Sequence, residues 1–302
     1  MSWFLIALGA PFLWAISNYI DKYMLSRFFK PGKFGGIFIL STVIGLLTAP
    51  IIYFFKPDVL AVESTNALIM VLIGFAGSFM FFPYFIALQK EDVTTVVPLF
   101  QTIPVFVYIL SYFILGEQLS GVQIIASLLV IAGAIVLSVE MEGRLRFRND
   151  VFWLMTFASL VSAVDIVLFK MLALKTDYWT VNFWGDIGYA IVAAGIFFLF
   201  PSARAEFLSV FTTKRQGVMG ANIFNEIIGA GGGLLIAYAT LLAPAALVWV
   251  TNGFQPFFVF VIGIILTVYF PRLGTESLAR RHIVQKLLAI TIMFVGVYLL
   301  GS

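Results

Sequence analysis

The chain has no cysteine and a single histidine, His282. The first absence excludes disulfides and thiolate metal sites, and the second leaves no material for a histidine metal centre or a catalytic triad. Charge is scarce as well: 11% of residues are Asp, Glu, Lys or Arg, against about 25% in an ordinary soluble domain. No Walker-type glycine loop is present, which argues against direct drive by ATP, and no DxD-like run lines a long joint. The net charge of +3 is small, and neither a nucleic-acid partner nor a cofactor or metal is expected. The first residues lack a basic n-region and their apolar run continues through Trp14 to Tyr19, so no cleavable signal peptide is expected.

What the chain has in abundance is apolar sequence. Hydrophobic residues make up 62% and the mean hydropathy is +1.05. Long apolar runs separated by short polar joints indicate an all-α, multi-pass membrane protein embedded in the lipid bilayer. The short alternating strands of a membrane barrel do not appear. Windows of about 20 residues predict ten spans, at 3–23, 35–56, 67–88, 93–115, 120–140, 151–172, 181–201, 217–241, 245–270 and 283–300. The longest polar joints are EMEGRLRFRND (140–150) and PRLGTESLARRH (271–282), too short to hold a soluble catalytic domain.

The first five spans resemble the second five. At an offset of 148, AISNYIDKYML (15–25) lies on AVDIVLFKMLA (163–173), matching Ala15 with Ala163 and Lys22 with Lys170. At an offset of 152, IPVFVYIL (103–110) lies on QPFFVFVI (255–262), matching Pro104 with Pro256. At an offset of 163, Gly133 lies on Gly296 and Ala126 on Ala289. The matches predict two halves, 1–143 and 150–302. An odd number of spans per half forces the second to enter the membrane upside down. Inverted repeats are the architecture of many secondary transporters, with substrate held near the midplane.

Ten spans in two five-helix halves resemble the drug/metabolite transporter superfamily, in its EamA-like branch. So does PLFQTIPVFVYILSYFILGEQLSGVQIIASLLVIAGAIVLS (98–138), with its proline, glycine-glutamate and glycine signposts. The second half departs from that pattern: FPRLGTESLARR (270–281) stands where a glycine-glutamate pair would follow span 9. The resemblance implies a transporter in the plasma membrane of a bacterium or archaeon, working as a monomer or homodimer. It also implies that spans 5 and 10 are peripheral, with the other eight around a cavity, which agrees with how little polar sequence spans 5 and 10 carry.

Leaving out Lys22 and Lys170, fourteen lysines and arginines fall in odd-numbered joints and two, Lys56 and Lys175, in even-numbered ones. The charge bias therefore predicts odd joints in the cytoplasm and both termini outside. Members of the resembled family more often keep both termini inside.

Ionisable groups inside spans are candidates for function by default. In GANIFNEIIGAGGG (220–233), Asn222, Asn225 and Glu226 precede a glycine run, and the polar groups share a helical face with Gly229 and Gly233. The face reads either as a tight helix crossing or as a cavity wall where Glu226 binds a cation or exchanges a proton. Asn182, Asp186 and Tyr189 share a face of span 7, and Ser162 lies one turn from Asp165 in span 6. Asn18 and Lys22 share a face of span 1; Lys22 and Lys170 end their spans, and either snorkel or brace an acid. Pro104 and Pro256 are read as mid-helix kinks that free the carbonyls of Phe100 and Asn252. Gln101 and Tyr108 fall on the face of Pro104, and Trp249 and Asn252 on that of Pro256. Most of the aromatics Trp14, Tyr19, Phe100, Tyr108, Trp184 and Trp249 are expected to face lipid or its interface.

These residues point to a secondary carrier for a small polar or amphipathic metabolite, working by alternating access, with protons as the suggested coupling ion. No catalytic residue is assigned. The alternatives are an intramembrane lipid-headgroup enzyme and a lipid flippase or scramblase.

Overall fold

The computed structural model describes residues 2–28, 32–91, 93–138, 149–212, 216–269 and 280–300. Among them there is no strand, and the helices follow the predicted apolar windows. Spans 1 and 2 are Ser2–Phe28 and Gly35–Phe55; span 3 runs from Ser64 to Lys90 and span 4 from Val93 to Leu115. Span 5 is Gly121–Ser138, span 6 Asn149–Lys175, span 7 Tyr178–Leu199 and span 8 Gln216–Leu242. Span 9 runs from Ala245 to Tyr269 and span 10 from Arg280 to Leu300. Eight of these are long and apolar enough to cross a membrane, and Gly121–Val136 and Val284–Leu299 are shorter apolar helices. The protein is an all-α, multi-pass integral membrane protein. Its exposed surface is correspondingly apolar, with Phe54, Phe55, Phe113, Leu199 and Tyr298 among the most exposed side chains. The joints at 139–148 and 270–279, which hold part of the predicted positive charge, lie outside the described residues.

One helix was not expected. Pro201–Thr212, PSARAEFLSVFT, is too polar to register as a span, and its hydropathy blends into the joint after span 7. It is held by span 2: Glu206 Oε2 accepts from the Gly36 N–H at 3.1 Å, and Ala203 lies where a side chain on Gly35 would sit. A carboxylate thus meets donors that the first turn of a helix cannot satisfy internally.

The two prolines differ from the predicted mid-helix kinks. Each falls in the first turn of a helix, Ile103–Leu115 or Gln255–Tyr269, immediately after a 3₁₀ stretch at Val97–Thr102 or Thr251–Phe254. A first-turn N–H has no partner in its own helix, so proline costs little there. The tighter 3₁₀ winding supplies the bend that a kink would have made.

Contacts recur in pairs. Gly133 of span 5 meets the Ala289 carbonyl and Met293 of span 10, while Gly296 of span 10 meets the Ala126 carbonyl and Val130 of span 5. Those are the residues paired at the offset of 163, so one patch faces a copy of itself. On the inner spans, Gly77 abuts Asp165 and Gly229 faces Ser17. Lys56, outside span 2, pairs with Asp58 at 2.8 Å and Asp177 at 3.8 Å, which ties two even-numbered joints. Its hydrogen bond to Asp58 holds the ammonium above its ordinary range.

Candidate functional site

The glycine run of span 8 receives a tryptophan from span 1. A Cβ on Gly232 would sit 2.6 Å from the Trp14 Nε1, and that indole donates to the Gly229 carbonyl at 3.0 Å. Trp14 in turn stacks on Trp249 of span 9 at 5.7 Å between centroids. This part of the stripe is a seam. One turn earlier its polar residues reach into a buried network.

That network converges on a residue the sequence reading passed over, Asp21. Gln255 Nε2 donates to Asn18 Oδ1 (2.6 Å), Asn18 Nδ2 to the Tyr84 hydroxyl (2.6 Å), and Tyr84 to Asp21 Oδ2 (2.9 Å). From the other side Asn225 Nδ2 donates to Asp21 Oδ1 at 2.7 Å. All five residues are at most 6% exposed. The hydrogen bonds tie spans 9, 1, 3 and 8, and both donors on Asp21 point at its carboxylate, an arrangement suited to an acceptor. Asp21 was legible by the same rule that found Glu226, an acid inside a predicted span. Its neighbour Lys22 drew attention instead.

Glu226 takes a different partner. Its Oε1 accepts from Ser41 Oγ of span 2 at 3.0 Å, and Asp21 is its charged neighbour. Asn222, one turn back on the same face, is 3% exposed, and its Oδ1 has no hydrogen-bond partner among the described residues; nor has Asn225 Oδ1.

A second acidic group forms from spans 6 and 7. Asp186 accepts from Thr48 of span 2, Asp165 packs on Gly77 of span 3, and Tyr189 has both acids as charged neighbours. Glu226, Asp165 and Asp186 all retain accessible surface. Asn182 does not join them: its Nδ2 turns back to the Tyr178 carbonyl of its own helix at 2.8 Å. Ser162 likewise bonds the Ala158 carbonyl.

The paired lysines hold joints together. Lys22 Nζ donates to the carbonyls of Leu88 (2.9 Å) and Glu91 (2.8 Å), where span 3 ends. Lys170 Nζ donates to the Ala243 carbonyl (2.7 Å), where span 8 ends, and forms an ion pair with Glu117. Both cations sit at helix C-termini, where unsatisfied carbonyls and the dipole favour them. Glu117 also accepts from the Ala245 N–H at 2.9 Å, which opens span 9.

Gln101 and Asn252 meet directly. Gln101 Nε2 donates to the Asn252 carbonyl at 3.2 Å. That carbonyl also accepts the Gln255 N–H, and the Phe100 carbonyl accepts the Ile103 N–H, so the 3₁₀ winding satisfies the two groups that the prolines were expected to free. The Gln101 and Asn252 side chains are both buried, and each has an oxygen with no partner among the described residues. Tyr108 packs partly buried at the edge of the main core, away from the acids' hydrogen bonds. The expectation that the aromatics face lipid fails for several. Trp249 and Phe100 are 7% exposed, Tyr19 donates to the Val259 carbonyl at 3.0 Å, and Trp184 to the Val59 carbonyl at 3.0 Å. In hydrocarbon an indole or phenol finds no acceptor, so protein carbonyls draw these rings inward.

Residues 1–139 match the model of the EamA-like transporter family. That first stretch of the chain is similar to an EamA-like transporter domain. Such domains belong to the drug/metabolite transporter superfamily, and the match ends one residue beyond span 5. No curated protein matches the chain. Among 28 similar chains of solved structures, one described only as a crystal structure of a protein has a TM-score of 0.70 at 18% identity. The match covers 99% of this chain and 96% of that one. At that identity the likeness speaks for the fold alone.

Proposed function

We propose that the protein is a secondary carrier for a small polar or amphipathic metabolite, moving it by alternating access between two inverted halves, 1–143 and 150–302. The coupling ion in this reading is a proton, taken up and released at the intramembrane acids. The observation that carries it is an asymmetry between two seams that exchange when the halves exchange. Spans 3 and 7 are packed backbone on backbone, whereas spans 8 and 2 touch sparingly, with Ser41 and Glu226 bonded across them. Halves with like contacts elsewhere and one seam loose fit a carrier with a single route open. Of the intramembrane acids, Glu226 sits at that loose seam, which supports its assignment to the coupling role.

Reconstituted liposomes test this. Protein-dependent, saturable solute flux is the expected result. Glu226→Gln should keep solute exchange but lose accumulation driven by a pH gradient, since the amide cannot carry a proton. Equal accumulation by the variant and its parent would reject the role of Glu226. Lipid turnover without solute flux would replace the carrier with a scramblase.

A further inference from the structure

The geometry points to a substrate with an ammonium group at each end of an extended chain, a linear diamine or polyamine; the inference rests on the carrier reading. Span 2 carries the ruler. Ser41 and Thr48 lie roughly two turns apart on one face of a helix, so about 10 Å separates their hydroxyls along its axis at the usual rise. Ile44 between them keeps helical angles (φ −56°, ψ −32°), so the spacing holds across the change of segment. Each hydroxyl marks one acid: Ser41 donates to Glu226 of span 8, and Thr48 to Asp186 of span 7. Gly45 lies between them and admits the backbone of span 7, since a Cβ there would stand 2.2 Å from the Asp186 carbonyl.

The sign of the ligand follows from what is left over. At the Glu226 end two buried amide oxygens are left without a donor beside the acid. Asn222 Oδ1, on a side chain 3% exposed and one turn from Glu226, has no donor among the described residues. Asn225 Oδ1, 2% exposed, is in the same position while its Nδ2 is spent on Asp21. A buried oxygen without a donor costs free energy until one arrives, and an ammonium brings three. The span lysines do not answer this need, because Lys22 is engaged at Leu88 and Glu91 and Lys170 at Glu117 and Ala243. At the Asp186 end, Asp165 has no hydrogen-bond or ion-pair partner among the described residues and shares Tyr189 as a neighbour with Asp186. Two acidic stations two turns apart along one helix fit a dication better than a single charge.

Calorimetric binding to the purified full chain separates the possibilities, with 1,7-diaminoheptane, 1,3-diaminopropane and heptylamine as probes. The long diamine should bind at least about tenfold tighter than the other two, since its second end adds a tethered contact. Glu226→Gln and Asp186→Asn, each checked for an unchanged thermal midpoint, should bring its affinity down to that of heptylamine. Where either acid variant unfolds, Thr48→Val, which leaves both acids in place, should weaken the long diamine severalfold and heptylamine less. Equal affinity for the long diamine and heptylamine, or a preference for the short diamine, overturns the two-ended site. Liposome flux of a neutral or anionic solute, without amine binding, sinks this inference and leaves the carrier intact. Lipid turnover with no flux of any solute sinks both.

Discussion

Spans 3 and 7 meet through glycine, and spans 8 and 2 meet through a side chain. In the first seam a Cβ on Gly74 would lie 2.1 Å from the Gly185 carbonyl, and one on Gly188 would lie 2.2 Å from the Val71 carbonyl. In the second, Ser41 and Glu226 share one hydrogen bond. Two turns further along span 8, a Cβ on Gly233 meets nothing within 4 Å. In the proposed two-half organisation both seams stand at the same place. The difference teaches that glycine in a span has no single meaning: it is a contact where another backbone lies on it, and spare volume where none does. It also locates the weak joint of the bundle. Backbone contact resists separation because it is distributed and cannot re-rotamerise, while one hydroxyl can release its acid and rebond to water or substrate.

The comparison breaks most readily at Gly74. Gly74→Ala should destabilise the protein by about 3 kcal/mol, the upper part of the overpacking range, because the clashing atom is a backbone oxygen. Denaturant unfolding in detergent reads it, and a loss well below about 1 kcal/mol would show that the closed seam yields easily. Ser41→Ala removes the described bond across the open seam and should cost about 1 kcal/mol of stability, the net worth of an ordinary hydrogen bond. Its flux should change more than its stability does. A stability loss matching that of Gly74→Ala would make the two seams equivalent. The smallest effect belongs to Gly233→Ala, which fills open space in a helix interior. It should stabilise by about 0.5–1 kcal/mol, opposite in sign to the same substitution at Gly74.

The lysines and acids show how far reading along the chain can go. Lys22 and Lys170 were paired by an offset of 148, and their carbonyl partners, Glu91 and Ala243, are separated by the offset of 152 found for spans 4 and 9. The pairing was visible, but the partners were not, since a cation ending a span can reach solvent, lipid headgroups or a neighbouring helix equally well by sequence. Glu226 was legible because an acid inside an apolar run stands out. Asp21 obeyed the same rule and was overlooked beside Lys22; its importance lies in donors from Tyr84 and Asn225, 63 and 204 residues away along the chain. The helix at Pro201–Thr212 escaped because a short polar helix leaves no mark in a window tuned to the thickness of a bilayer.

The sequence by itself determined the place of the apolar helices, the all-helical class and the likeness of its first half to the EamA-like transporter family. Those depend on hydropathy summed over some 20 residues and on local motifs, both carried along one chain segment. Only the tertiary structure decided what GANIFNEIIGAGGG does. Its Gly229 and Gly232 form a seam under Trp14, its Asn225 anchors Asp21, and its Glu226 faces Ser41 across the loose joint. A helical wheel puts all three on one stripe. Which neighbour meets each of them depends on packing between spans, and in a membrane that packing is set by shape and hydrogen bonding, which hydropathy does not encode.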